Sequence, residues 1–478
     1  MTAAGRAEFG VWGLGVMGTG LALHAAETGL SVVAHDHDGQ RITALSRVAS
    51  GNAPTGASDA REFVAALRTP RQVLLAVPAG DAVEASLAAL SPHLSEDDVI
   101  VDGGNSHYAD TERRQHELAA RGLHLAGCGI SGGAQGARHG ASLMFGGSSH
   151  AWDVFEPVAR ALAAPGTDGV CAARLGPGGA GHFAKMVHNG IEYAEMQLIA
   201  ESYDLLRAGL GLSAERLAET YATWNEGPLR SFLVELTARL FKVSDPQTDR
   251  PLIDLVQDSA AQTGTGRWSL QFALESDVAV PTLSAAVDAR TLSVQRELRQ
   301  AAQGCLAAPA RSRLPGDEQG WIDAARDALS GARLCAHSQG MALIAAGNRA
   351  HGWNIDRAEL TRVWGGGSIL ASELLSTLRA AWGGFSGDDL VLAGPPAAVL
   401  AAAQPGWRAV IAAAAERGIP LPATAASLAW HDTLCAEHLP QNLVAAQRDA
   451  FGAHAFVRSD HPESGPVHGD WALPRSHS

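Results

Sequence analysis

The chain has 478 residues, 46% hydrophobic and 18% charged, which suits a globular protein of two or three domains with a sizeable core. A formal net charge of −14 argues against a general binder of nucleic acid or of anionic membrane, while leaving room for a local basic pocket. The opening residues, MTAAGRAEFG, lack the apolar run of a signal peptide. Residues 1–178 alternate short apolar strands with helical patterns, the signature of a parallel α/β sheet. Strands are expected at 9–13, 30–36, 72–78, 97–104 and 122–129, with helices at 18–28, 82–90 and 109–121. The glycine cluster LGPGGAG at 175–181 closes this region. Residues 179–440 carry long Ala, Leu, Arg and Glu patterns with turns at Gly or Pro, which predict a large all-α domain. Its most apolar stretch, LVLAGPPAAVLAAAQPGW, is interrupted by paired prolines and a glycine, so no membrane-spanning helix is expected. Residues 441–478 turn polar and rich in His, Pro and Ser; on composition alone this reads as a frayed tail as readily as an ordered one. Five cysteines (Cys128, Cys171, Cys305, Cys335, Cys435) show neither zinc spacing nor a disulfide framework, which points to reduced thiols in a cytoplasmic setting.

Two places carry chemistry. The first is GLGVMG, which puts Gly13, Gly15 and Gly18 in the G-x-G-x-x-G spacing between a strand and a helix. The first glycine permits the tight turn, the second lets backbone approach a pyrophosphate, and the third lets the helix pack closely. Asp36 follows at the end of the second strand, where a carboxylate would accept hydrogen bonds from the ribose of NAD and repel the 2′-phosphate of NADP. His37 and Asp38 come next, with no arginine before Arg41, so NAD is the expected cofactor and NADP the less favoured one.

The second place is AGHFAKMVHNGIEYAEMQ at 180–197. Lys185, His188, Asn189 and Glu192 fall at i, i+3, i+4 and i+7 and share one stripe of a helix. The bland alternative is a buried polar network joining two helices. Of the 36 basic residues in the chain only Lys185 and Lys242 are lysine, so a titratable amine stands in the stripe of a chain that otherwise uses arginine. A guanidinium could not act as a base near neutral pH.

Taken with DGGNS (102–106), SGGAQGA (131–137), DSAAQTGTGRW (258–268), DARTLS (288–293) and PQNLVAAQRDAFGAH (440–454), these segments resemble the long-chain, decarboxylating 6-phosphogluconate dehydrogenases from end to end. The resemblance implies a Rossmann domain, an all-helical substrate and dimerisation domain, and a tail reaching the partner subunit of a homodimer. It implies Lys185 as general base and then acid, and Glu192 as general acid, without a metal. It places Met17, Val77 and Asn105 with the glycines and Asp36 at the cofactor, and Asn105, Ser131, Gly132, Gly133, His188 and Asn189 around the substrate carboxylate and hydroxyls. Tyr193, Thr265 and Arg290 would face the substrate phosphate, joined by Arg448 and His454 from the other subunit. On that basis the tail is expected to be ordered through about residue 455 and disordered beyond it.

Two departures stand out. Members that use NADP commonly carry Asn-Arg-Thr where this chain has Asp36-His37-Asp38, and a phosphate-contacting lysine is common where this chain has Thr263. The rival readings are a related β-hydroxyacid dehydrogenase acting on another (phospho)sugar acid and a non-catalytic NAD-binding sensor. The presence of both Lys185 and Glu192 speaks against the second.

Overall fold

Four-residue strands with two or three valines, isoleucines or leucines each are buried end to end at Val32–His35, Gln72–Leu75 and Val99–Asp102. Strands covered on both faces are what a parallel sheet with flanking helices requires. The computed structural model describes residues 6–48, 53–261, 264–385 and 387–471, so Thr263 lies outside the described residues. They fall into two compact units that meet in sequence between Ser427 and Leu428.

In the first unit, eight strands form one sheet: β1 (Phe9–Trp12), β2 (Val32–His35), β3 (Thr55–Gly56), β4 (Gln72–Leu75), β5 (Val99–Asp102), β6 (His124–Ser131), β7 (Ser142–Gly146) and β8 (Ala172–Gly176). Their spatial order is β8-β7-β6-β5-β4-β1-β2-β3. All neighbours are parallel except β6 and β7, which pair antiparallel from Gly127↔Gly146 to Ser131↔Ser142, a departure from the all-parallel expectation. The five expected strands are present, each shorter than or shifted from its sequence reading by a few residues. Strand order turns between β1 and β4, and the carboxyl ends of strands at such a switch point are where an α/β sheet leaves a crevice. Helices α1 (Val16–Glu27), α2 (Gly133–His139) and α3 (Ser149–Leu162) pack on the sheet or border it.

The helical part opens with α4 (Ala180–Asp204), followed by α5 (Thr265–Glu275), α6 (Pro281–Val294), α7 (Glu318–His351) and α8 (Gly394–Glu416). The first turn of α4 lies directly on the sheet: a Cβ on Gly181 would stand 2.4 Å from the carbonyls of both Gly127 and Met144. Further along, α7 closes over α4, with Gly340 against Ile191 and Gly347 against Phe183.

Helix α8 corrects one expectation. The paired prolines do not interrupt it; Pro395 and Pro396 occupy its first turn, where the missing N–H groups have no intrahelical role, and Pro405 is carried inside. Its 23 residues and mean hydropathy of 1.2 would suffice to cross a membrane by length and composition. Leu400, Ala403, Trp407 and Val410 are instead buried, Trp407 filling a notch left by Gly331 of α7.

The second unit corrects another. Past residue 455 the polar segment is built rather than frayed: α9 (Gln441–Gly452) is followed by a hairpin of β9 (Phe456–Val457) and β10 (Pro466–Val467). Asp449 ties it together, accepting hydrogen bonds from the N–H groups of Ala455 (2.9 Å) and Gly469 (2.9 Å) and from Trp471 Nε1 (2.8 Å), with His468 Nδ1 at 2.7 Å. The Gly469 N–H, Trp471 and His468 hold its carboxyl well below the usual range.

Candidate active site

The glycine turn after β1 opens into a cleft of about 450 Å³ lined by Gly13, Gly15, Asp36, Arg41 and Val77 among others. Gly13 has φ +102°, and a Cβ there would meet the Ala76 carbonyl at 2.7 Å. On Gly18 a Cβ would lie 1.9 Å from the Gly13 carbonyl, so the helix rests on the turn only because residue 18 is glycine. Gly15 differs: a Cβ there would project into open space. Among the described residues nothing demands a glycine at that position, which fits a cradle reserved for a ligand's phosphates. Met17 is half-buried against the sheet core instead of lining the cleft.

Asp36 is buried at the end of β2 and accepts the N–H groups of Leu14 (2.6 Å) and Asp38 (2.9 Å). Burial pushes its carboxyl up, but those two N–H groups, with Arg41 and His37, outweigh burial and hold it ionised. Arg41 is shared between two carboxylates, with Nη1 3.5 Å from Asp36 Oδ2 and Nε 3.8 Å from Asp38 Oδ2.

Across the domain boundary, the stripe on α4 faces inward. Lys185, His188 and Asn189 are buried, and the Glu192 side chain is 22% exposed. Lys185 Nζ sits 3.5 Å from His188 Nδ1, which lies 3.3 Å from Asn189 Oδ1 and 3.6 Å from Glu192 Oε2. A Cβ on Gly129 of β6 would come within 2.3 Å of Lys185 Cβ, so this glycine lets the lysine-bearing turn rest on the strand. Burial lowers the Lys185 ammonium to a pKa of about 8 against the opposing pull of Glu192. Burial also raises the Glu192 carboxyl, with Lys185 and Arg290 working against it. The His188 ring is driven far down by burial and then by Lys185, so it is neutral. One helix face therefore holds an amine that burial makes easier to deprotonate and a carboxyl that burial makes harder to ionise.

Ser131, at the end of β6, places Oγ 3.0 Å from His188 Nε2. Gly132, with φ +118°, makes the turn into α2 so tightly that a Cβ would strike the Gly367 carbonyl at 2.4 Å, and Gly133 follows exposed to solvent. Asn189 Nδ2 donates to Thr265 Oγ1 on α5 at 3.1 Å. Beyond them the Arg290 guanidinium lies 3.6 Å over the ring of Tyr193. Asn105 is exposed in the loop after β5, a loop fixed by Asp102, which accepts from Ser106 Oγ (2.6 Å) and Gly104 N–H (3.0 Å). Arg448 and His454 are both exposed in the second unit.

Two residues absent from the sequence reading take part. Ser368 places Oγ 2.8 Å from His188 Nε2 and 3.5 Å from Ser131 Oγ. The triple glycine Gly365–Gly367 before it was its only local signal. His182, in the first turn of α4, joins the Asp102 carbonyl (3.0 Å) to Thr111 Oγ1 (2.6 Å) and so locks the helix to the DGGNS loop.

A nucleotide cradle at a sheet switch point, together with a buried amine and a half-buried carboxyl on the helix that opens the next domain, points to an oxidoreductase that uses a nicotinamide dinucleotide. Comparison with known proteins narrows the class. The NAD binding domain of 6-phosphogluconate dehydrogenase matches residues 8–176, and the C-terminal domain of 6-phosphogluconate dehydrogenase matches residues 181–471. A decarboxylating 6-phosphogluconate dehydrogenase of Synechococcus elongatus is 45% identical over 97% of this chain and 99% of its own. The NADP(+)-dependent, decarboxylating enzyme of Bacillus subtilis is 39% identical over 98% of this chain and 99% of its own. The solved 6-phosphogluconate dehydrogenase of Plasmodium falciparum, described as apo and in complex with its cofactor NADP+ and with 6-phosphogluconate, superposes with a TM-score of 0.92 at 33% identity, covering 97% of this chain and 100% of that one. The chain belongs to the decarboxylating 6-phosphogluconate dehydrogenase family.

Proposed function

We propose that the chain converts 6-phosphogluconate to ribulose 5-phosphate and CO2 with NAD as hydride acceptor, Lys185 serving as base and then acid and Glu192 as acid. The observation that carries this reading is the opposed pair on α4, an amine lowered to about 8 and a carboxyl raised by burial. A nicotinamide dinucleotide held by Gly13, Gly15 and Asp36 would supply the acceptor for the hydride of C3. Lys185 takes the C3 hydroxyl proton as that hydride leaves, which requires its neutral form. The resulting β-keto acid breaks its C1–C2 bond, CO2 departs, and the electron pair forms an enediol whose oxygen receives the Lys185 proton. Glu192, still carrying its proton, delivers it to C2, which becomes C1 of the product, while Lys185 recovers the enol proton. His188, being neutral, adds no charge to compete with these transfers, and the Ser131–His188–Ser368 chain fixes its ring.

The preference for NAD rests on Asp36 and Arg41. A 2′-phosphate would meet a buried, ionised carboxylate, and the Arg41 guanidinium that lines the cleft is already shared by Asp36 and Asp38. This sets the chain apart from the two relatives whose descriptions mention NADP. The substrate phosphate is assigned to Tyr193, Thr265 and Arg290 of one subunit with Arg448 and His454 of another. Support comes from α9, where Leu443, Val444 and Phe451 are 61%, 51% and 75% exposed, an apolar stripe suited to cover by a second copy. Initial rates with 6-phosphogluconate, NAD against NADP and gluconate as control, test the reading. It expects kcat/KM at least tenfold higher with NAD and no turnover of gluconate. An NADP preference would refute the role given to Asp36, and turnover of unphosphorylated acids would favour the β-hydroxyacid alternative.

A further inference from the structure

The catalytic elements gather at the carboxyl ends of the strands, but three other ligand-type side chains meet at the opposite edge of the sheet. Asp97 precedes β5, His124 is the first residue of β6, and His150 lies in the first turn of α3. His124 and Ser131 begin and end the same strand, which at ~3.3 Å per residue separates this cluster from the catalytic stripe by about 23 Å. His124 Nε2 is 3.9 Å and His150 Nε2 3.7 Å from Asp97 Oδ1, and the three ligand atoms lie within 4.8 Å of one another. The rings stand 4.4 Å apart, centroid to centroid.

Two further observations point to a ligand. The His150 Nε2 atom is shielded from solvent yet has no hydrogen-bond partner among the described residues, a costly state for a polar atom that a ligand would relieve. His124 Nδ1 is 3.5 Å from Ser148 Oγ, and when it donates there Nε2 is left with its lone pair toward Asp97. Tetrahedral zinc, with ligands at about 2.0–2.1 Å, sets neighbouring ligand atoms about 3.4 Å apart. The histidine–aspartate separations of 3.9 and 3.7 Å are wider than that by about half an ångström or less, and the two partly exposed rings can turn to close the rest.

We propose that Asp97, His124 and His150 bind one divalent transition-metal ion of the zinc class, with solvent completing the shell, and that the ion clips α3 to the amino ends of β5 and β6. It is a stabilising site, remote from the reaction. The test uses the full chain stripped with EDTA and titrated with Zn2+ by calorimetry, with Co2+ as a visible-absorption probe and melting followed in parallel. The expected result is one tight equivalent per chain, a Tm that climbs with Zn2+ concentration and a Co2+ ligand-field band. H124A/H150A should abolish all three and D97N should weaken binding at least tenfold, with metal-free kcat/KM within twofold of the parent in each. Because the tail also carries histidines, H461A/H468A serves as the control and should bind as the parent does. Absence of saturable binding, or unchanged binding by H124A/H150A, would overturn the proposal.

Discussion

Replacing Lys185 by arginine keeps the positive charge and removes the base. With a pKa of about 8, roughly a quarter of the Lys185 amine is neutral at pH 7.5. An arginine, whose guanidinium is far more basic, is neutral to no more than about one part in 10⁵ at that pH. The neutral fraction thus falls by a factor of about 10⁴, comparable with the 10²–10⁴ that a positioned general base contributes. K185R should therefore lose at least 10³-fold in kcat/KM while still binding cofactor, read by quenching of tryptophan fluorescence. The parent enzyme should gain kcat/KM with rising pH up to about 8, because proton abstraction needs the free amine. A K185R enzyme that keeps more than a tenth of parental kcat/KM would refute the assignment of the base.

The same burial has a stability cost. Between about pH 8 and 10.5 the folded chain binds fewer protons at Lys185 than the unfolded chain, so stability rises with pH through that window. K185M should consequently stabilise the inactive protein by about 3 kcal/mol at pH 7 and by little at pH 11, as read by urea unfolding. Glu192 runs the other way: with its folded pKa raised, its contribution is complete below the unfolded value near 4.5 and is lost as pH rises through the folded one. E192Q should raise Tm at pH 8 and leave it unchanged at pH 4. G129A drives a methyl into Lys185 Cβ and should cost about 1–3 kcal/mol along with most of the turnover. D449N removes the acceptor that gathers Ala455, His468, Gly469 and Trp471, so limited proteolysis should cut the tail between 455 and 471 faster than in the parent.

Local chemistry was legible in the sequence wherever it repeats locally. The glycine turn, Asp36 and the α4 stripe depend on spacings of a few residues, and the structure brings each set together. Strands β3, β7 and β8 were not legible, because two residues or the five-residue runs SLMFG and AARLG give no period to read. Ser368 was hidden for another reason: it meets His188 from 180 positions away in the chain, and only the packing joins them. The prolines of α8 were read as a break although proline is at home in a first turn. The tail was misjudged on composition, since one carboxylate with four donors can order a polar segment that buries little apolar surface. Asp97, His124 and His150 come from three elements at no ligand spacing, so nothing along the chain announces that they meet.

The most direct test of the catalytic account follows every product of one reaction. Incubating the enzyme with NAD and 6-phosphogluconate labelled at C1, in D2O, measures NADH, labelled CO2 and deuterium at C1 of ribulose 5-phosphate together. The account predicts one of each per substrate consumed, with E192Q slowed in deuterium delivery more than in NADH formation. NADH produced without labelled CO2, or E192Q delivering deuterium at the parental rate, would contradict it.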